Sequence, residues 1–300
     1  MSRLSASFTR LQGTLQLFSG SKIAWTGLAL LLVILAAALF APLVAWQNPY
    51  DLAQLDILDA RLAPGSATAD GKHTYLLGTD GQGRDMLSAI LYGLRISLMV
   101  GVSATLLALA IGLTLGLIAG YYGGRVDSVI MRLADLQLSF PPILIALILL
   151  VLLGQGTSKI IIALVTVQWA YYARTARSAA LVERRKEYIE AASLLGLSTP
   201  RIIFRHLLPN CFPPLMVVAA LQVAAAISLE ATLSFLGLGL PVTEPSLGLL
   251  ISNGFKYLLS GNYWISFFPG VALLLTIVAI NLVGDRLRDV LNPRLQLHST

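Results

Sequence analysis

The sequence predicts an all-α membrane protein with six transmembrane helices, and three observations carry that reading. Hydrophobic residues fill 56% of the 300 positions and charged residues only 12%, about half the roughly 25% usual in soluble chains. Such a chain cannot coat a water-soluble fold of this size with polar side chains, and a mean hydropathy of +0.78 excludes disorder. The apolar residues gather in charge-free windows at residues 23–50, 96–124, 136–158, 160–173, 207–229 and 257–284, most of them longer than the roughly 20 residues a crossing needs. They are apolar on all faces, where a soluble amphipathic helix is apolar along one stripe.

Taken in order, residues 1–22 form a short basic segment with Arg3, Arg10 and Lys22. That flank and the small residues Ala36, Ala37 and Ala38 are also found in secretory signals. Signal cores run only about 7 to 15 residues, so the longer run predicts a retained first helix over residues 23–46. Residues 47–95 form a long outer connection. It is acidic, with Asp51, Asp56, Asp59, Asp70, Asp80 and Asp85, and it is punctuated by Pro49, Pro64, Gly65 and Gly71, which predicts an ordered excursion. Residues 78–85 read as a tight turn with capping groups ahead of an interfacial helix over residues 86–97 that feeds the second span. Glycine spacing of this sort also cradles phosphate, but the outer placement favours turn and cap.

In the second span Gly112, Gly116, Gly120 and Gly124 recur every fourth residue. They predict a groove for close helix packing, within this chain or against a second subunit. The fourth window is short, and its span is expected to take in a turn on either side, with Lys159 or Tyr171 and Tyr172 at an interface. Residues 174–206 form an amphipathic inner connection. A helix there is expected to stop at Gly196, because glycine readily takes the left-handed conformation of a helix end. Ser198 or Thr199 can cap the next helix, with Pro200 in its first turn. Two short helices at an angle would make a protruding knob.

Orientation follows from the basic residues. With the N-terminus inside, 15 of the 21 Lys and Arg fall in inner segments, among them Arg125, Arg132, Arg174, Arg177, Arg184, Arg185, Lys186, Arg201, Arg205 and Arg294. Both termini are then inside, and topology accounts for the net charge of +6 with no nucleic-acid partner. Asp127 and Asp135 are expected to pair with Arg125 or Arg132, and Arg174 and Arg177 to face lipid head groups.

The inner connection carries an identifying motif. Glu190, Ala191, Ala192 and Gly196, followed after nine residues by His206, Leu208 and Pro209, resemble the E-A-A-x3-G-x9-I-x-L-P signature of membrane subunits of ABC importers. His206 stands where the general pattern has Ile, as peptide-importer permeases often have a polar residue there. The resemblance to the oligopeptide/dipeptide/nickel permease family continues through Leu77, Gly78, Thr79 and Asp80, through Ser234, Phe235, Leu236, Gly237, Leu238 and Gly239, and through Asn281, Leu282, Val283, Gly284 and Asp285. It covers most of residues 77–293. The short inner N-terminus, leading span and long outer loop are similar to C-type permease subunits of bacterial dipeptide importers. Leu247 departs from the family, where Trp is expected.

The resemblance implies a type I ABC importer transmembrane fold, a core over residues 96–285 and a cytoplasmic tail over 286–300, in the bacterial inner membrane. It implies a coupling helix at about residues 186–196 in which Glu187, Glu190, Ala191, Ala192, Leu195 and Gly196 meet a separate ATP-binding subunit. The implied partners are two ATP-binding subunits, a second homologous permease, a periplasmic substrate-binding protein and a peptide substrate, within a lipid bilayer. Dipeptides are the implied cargo, with nickel chelates, oligopeptides and other small peptide-like solutes open as alternatives.

Residue chemistry agrees with a transporter subunit that catalyses no reaction of its own. Gly71, Lys72 and His73 lack the glycine spacing and the Ser/Thr of a nucleotide-binding loop, so ATP and magnesium belong to partner chains and this chain is expected to hold no cofactor. His73, His206 and His298 lie in three different segments. Cys211 is the one cysteine, which excludes an internal disulfide and a multi-thiolate metal site. No metal-ligand cluster or catalytic pattern is expected. Glu230, Gln222 and Asn281 are the pathway or gate candidates, polar residues within apolar spans; for Glu230 a structural bond near Ser234 is an equal reading, and Asn281 and Gln222 have the same ambiguity. A self-sufficient ion-coupled transporter would need several buried ionisable residues in its spans, which the charge-free windows do not supply.

Overall fold

The structure, a computed structural model, describes residues 21–241, 243–244 and 246–291. The segment before residue 21 with Arg3 and Arg10, the tail with Arg294 and His298, and Pro245 lie outside the described residues.

The fold is a helical bundle whose successive long segments run in alternating directions. Helix α1 (Lys22–Leu39) is followed by a short α2 (Ala41–Val44), and α3 (Met86–Tyr122) is 37 residues long. Helix α4 (Gly124–Ser139) leads into α5 (Pro142–Leu153), and α6 (Thr157–Glu183) follows. Then come α7 (Glu187–Leu194), α8 (Thr199–Arg201), α9 (Leu208–Phe235), α10 (Leu247–Phe255) and α11 (Trp264–Leu291). The end of the bundle that carries residues 45–85 is termed the outer end and the opposite one the inner end, following the orientation expected from the basic residues.

Contacts fix the direction of each helix. A Cβ placed on Gly112, Gly116 or Gly120 would lie 2.6 Å from the Cβ of Tyr172, Ala176 or Ala180 respectively, so α3 and α6 run parallel and both descend from the outer end. A glycine every fourth residue faces a side chain every fourth residue, and the two backbones close to a distance that larger side chains forbid. Gly124 is not part of this groove: it opens α4 with a φ of +54° and meets nothing within 4 Å. Helix α9 ascends beside α3, since Ser97 bonds Glu230 while Gly101 faces Ile227. Helix α11 descends, from the Trp264 indole on the Thr79 carbonyl (3.1 Å) to Gly284 against Ala220. Helix α1 ascends, from Gly27 against Leu282 to Ile34 and Ala38, which share a core cluster with Met86 and Ala89.

Because α3 and α6 are parallel, the chain between them must return. It does so through α4 and α5, which meet at a 92° bend. Pro141 and Pro142 cause the break, and Phe140 before them is extended at φ −98°, ψ 145°, as a residue preceding proline prefers. The window over residues 136–158 is therefore broken by this bend, and α5, at about 18 Å, is shorter than a bilayer core. By length and apolarity four described stretches can cross a membrane, and the bent pair makes a fifth if counted as one span. Helix α6 has the length, but Lys159, Gln168 and Arg174 lower its apolarity.

The interfacial helix expected over residues 86–97 is not separate. It is the first third of α3, continuous because no glycine pair or proline interrupts it. Asp85 caps it, accepting from the Ser88 amide at 2.8 Å and the Ser88 hydroxyl at 2.5 Å, as the turn-and-cap reading requires. The outer excursion is ordered around Asp59, which accepts from the Tyr75 hydroxyl (2.8 Å) and the Ala69 amide (3.0 Å). A small hairpin pairs Ser66–Ala67 with Thr74–Tyr75. All six acidic residues of the connection accept local hydrogen bonds, so the acidity builds turns and caps more than it presents a negative face. Burial pushes the Asp80 carboxyl above the usual carboxylate range, against the opposing pull of the Arg84 and Gln82 amides and the Arg84 guanidinium.

The inner ion pairs also differ from the sequence expectation. Asp127 is held by both Nε and Nη2 of Arg177 (2.5 and 2.6 Å), and Asp135 by Arg174 (2.6 Å). Arg125 and Asp127 are two residues apart on one helix and point to different sides, whereas the packing of α4 on α6 brings the arginines of α6 within reach. Arg174 and Arg177 thus bind carboxylates of their own chain.

Candidate functional site

The knob on the inner face is built by α7 and the turn after it. Leu197 donates to the Ala192 carbonyl (3.2 Å) and Gly196 to the Ser193 carbonyl (3.0 Å), with Gly196 at φ +70°. That is the Schellman ending of a helix, and its left-handed position favours glycine. Ile189 and Ala192 turn inward, forming a buried cluster with Ile202 against Tyr121 and Leu197. Ala192 is therefore buried within this chain, because positions 189 and 192 share the face that packs on Ile202 and Tyr121. Glu187, Glu190, Ala191, Leu195 and Gly196 are exposed. Leu194, which the sequence reading passed over, is 89% exposed and Leu195 80% exposed. Two adjacent leucines before a glycine in a polar loop were the signal for this outward apolar tip.

The knob is wired to the bundle through Tyr188. Its hydroxyl donates to Glu183 at the end of α6 and accepts from Asn210 Nδ2 at 3.0 Å on α9. Burial and the facing Glu183 carboxylate push this phenol well above its ordinary range, which keeps it protonated as a donor. Lys186 pairs with Glu183 at 2.7 Å, and Arg184 lies over the Tyr121 ring. The second arm is not the separate short helix the sequence suggested. Helix α8, a π-helical stretch over Ile202–Leu207 and α9 run on as one rod. Ser198 stands at the cap position but makes no capping bond. Pro209, which has no N–H to donate, follows the stretch where the Leu208 amide reaches back to Ile203.

The three polar span candidates occupy different surroundings. Glu230 is fully buried, held by Ser97 (3.0 Å) and Ser234 (2.7 Å). It ties α3 to α9 through side-chain hydroxyls. Asn281 is partly buried on α11. Gln222 lines a cavity of about 410 Å³ between α5, α6 and α9, together with Gln168, Tyr171, Ser228 and Thr232. Its apolar wall includes Pro142, Ile143, Val167 and Leu229. Gln168 escaped the sequence reading because it sits in the short fourth window. It donates to the Gln222 carbonyl at 3.0 Å, and its own carbonyl faces the Thr105 hydroxyl at 3.5 Å, joining three helices. Among the described residues no group of His, Cys, Asp and Glu has the arrangement of a metal site.

Comparison with known proteins places this geometry. Residues 112–297 match the family described as binding-protein-dependent transport system inner membrane component, and residues 9–64 match the N-terminal TM domain of oligopeptide transport permease C. The di/tripeptide transport system permease protein DppC of Pseudomonas aeruginosa (strain UCBPP-PA14) is 40% identical over 94% of this chain and 91% of its own length. The dipeptide transport system permease protein DppC of Bacillus subtilis (strain 168) is 38% identical over 98% of this chain and 88% of its own. A solved structure of the MetNI methionine ABC transporter in an inward-facing conformation aligns with a TM-score of 0.55 and 21% identity, covering 68% of this chain and 97% of that one, which is a likeness of fold.

Proposed function

Since the chain belongs to the family of binding-protein-dependent transport system inner membrane components, we propose that it is the permease subunit of an ATP-driven importer that carries dipeptides or similar small peptides across a bacterial inner membrane. The cargo follows from the di/tripeptide and dipeptide permeases it resembles along nearly their whole length. The protein crosses the membrane six times, with α4 and α5 as one crossing and both termini in the cytoplasm. This assignment rests on the alternating helix directions and on the inward excess of Lys and Arg.

The observation that carries the mechanism is the knob. A solvent-facing Leu194–Leu195 tip on a helix closed by Gly196 is an apolar surface in search of a partner. ATP and magnesium act on two separate ATP-binding subunits, and α7 seats in a groove on one of them through Glu187, Glu190, Ala191, Leu194 and Leu195. Closure of those subunits displaces α7, and Tyr188 and the rod from α8 to α9 pass the displacement to the bundle. A second permease chain completes the path, and a substrate-binding protein delivers the peptide from outside.

Gly196→Asp tests this reading. The left-handed φ disfavours any side chain, and the added charge sits beside the apolar tip. Membrane insertion is expected to persist while peptide uptake falls to background, measured by immunoblot of membranes and by labelled-peptide uptake. Normal uptake by this variant refutes the coupling role.

A further inference from the structure

The cavity between α5, α6 and α9 lies halfway along the bundle. Gln168 is about 17 Å from the start of α6 and about 22 Å from its end, and Gln222 is about 20 Å from either end of α9, at 1.5 Å per residue. Polar side chains at that depth do not face hydrocarbon without cost. Gln222, Ser228 and Thr232 lie along one side of α9 and open onto the same space. Ser228 and Thr232 return their hydroxyl hydrogens to the carbonyls four residues back (2.9 and 2.8 Å). The Gln222 amide and the Tyr171 hydroxyl make no hydrogen bond to any described residue. The cavity therefore offers an uncharged amide, an uncharged phenol and apolar walls, with no Asp, Glu, Lys or Arg among its lining residues.

We propose that this cavity is a mid-membrane station for the transported peptide, with Gln222 and Tyr171 as the groups that hydrogen-bond the peptide linkage, and that its uncharged wall makes it indifferent to the charge of the peptide side chains. The proposal rests on the permease reading above. A side-chain amide both donates and accepts, which matches the N–H and C=O of a peptide bond whatever residues flank it. The volume exceeds the roughly 300 Å³ at which small-ligand sites begin. A lipid tail offers nothing to bond with the amide or the phenol.

The test uses the complete transport assembly in cells lacking other peptide uptake, with labelled alanyl-alanine, lysyl-alanine and glutamyl-alanine as probes. Gln222→Glu places one charge in the neutral wall. It is expected to raise the ratio of lysyl-alanine to glutamyl-alanine uptake at least about tenfold over wild type, and Gln222→Lys to shift it the opposite way, since desolvated charge pairs at a few ångströms carry that much discrimination. An unshifted ratio in both variants, with uptake retained, overturns the proposal. If both variants lose all uptake, Gln222→Cys decides. A water-soluble thiol reagent is expected to modify it, excess alanyl-alanine to slow that modification several-fold, and the wild type with its buried Cys211 to stay unmodified. Absence of modification, or modification that the dipeptide does not slow, also overturns it. Wild-type cells that take up none of the three dipeptides refute the peptide-permease reading itself, whereas wild-type uptake with an unshifted ratio refutes the station alone.

Discussion

Gly116→Ala adds a single methyl group at the close α3–α6 interface, and its cost can be worked from the contacts. The new Cβ would overlap the Ala173 carbonyl oxygen and lie 2.6 Å from Ala176 Cβ and 3.0 Å from the Arg177 amide nitrogen. Carbon atoms rest at about 3.5 to 4.0 Å, so α3 and α6 must part by roughly 1 Å. None of these neighbours is the far end of a flexible chain: one is a Cβ and the other two are backbone. Gly112 and Gly120 are in the same register, so the separation also loosens the contacts one turn above and below. Overpacking of this kind costs about 1 to 3 kcal/mol, and the better helix propensity of alanine returns about 1 kcal/mol. The net loss is about 0 to 2 kcal/mol, up to several degrees of thermal midpoint for a chain of this size. Gly270→Ala is the control. It sits inside α11 with nothing within 4 Å and no left-handed φ, so it gains propensity alone and is expected to stabilise by about 0.5 to 1 kcal/mol. The assay is the thermal midpoint of the detergent-solubilised protein. A Gly116→Ala midpoint at or above that of Gly270→Ala would refute the account of the groove.

Two further predictions concern the polar ties. Glu230→Ala strands the buried Ser97 and Ser234 hydroxyls at about 1 to 3 kcal/mol each, while Glu230→Gln keeps one acceptor and turns the other into an amide donor that a reoriented serine hydroxyl can accept; the midpoint order wild type, Gln, Ala is expected, and an Ala variant as stable as Gln would contradict it. At the inner end a double-mutant cycle should give about 1 kcal/mol for the two-pronged Arg177–Asp127 pair, whose side chains are 32% and 17% exposed, and close to nothing for Arg174–Asp135, at 56% and 55%. Equal coupling energies for the two pairs would show that geometry and burial do not set their strength.

The long helices were legible because composition and charge-free length are properties of contiguous residues. What the sequence could not display was where one helix continues into the next. Residues 86–97 look interfacial because Arg95 closes the apolar window, yet α3 passes straight through Arg95, since a helix ends at a lost hydrogen bond and not at a charge. The break at Pro141 and Pro142 was written in the sequence, but its 92° angle comes from packing. Partner choice for Asp127 and Asp135 was illegible for a similar reason: the arginines that bind them lie 50 and 39 residues away, and local spacing favoured nearer ones. At the knob, Gly196 was readable through its special φ. The burial of Ala192 was not, because only the docking of Ile189 and Ile202 shows which face turns inward.

The two ends of the bundle are joined by interactions of different kinds. At the outer end the ties are buried and neutral or capped: Glu230 among serine hydroxyls, the Trp264 indole on Thr79, and Gly248 and Gly254 pressed against backbone of α9 and α11. Breaking any of these strands a buried polar group or opens a void, at about 1 to 3 kcal/mol each. At the inner end α4 and α6 meet through partly exposed ion pairs, which water replaces at little cost. The rod leading from the knob contains a π-helical stretch followed by Pro209, Pro213 and Pro214, and each proline removes a backbone hydrogen bond that would otherwise stiffen it. A push on α7 therefore finds the partly exposed α4–α6 ion pairs the contacts that yield most readily, while α3 and α6 stay locked by the glycine groove at Gly112, Gly116 and Gly120 in the same half of the bundle.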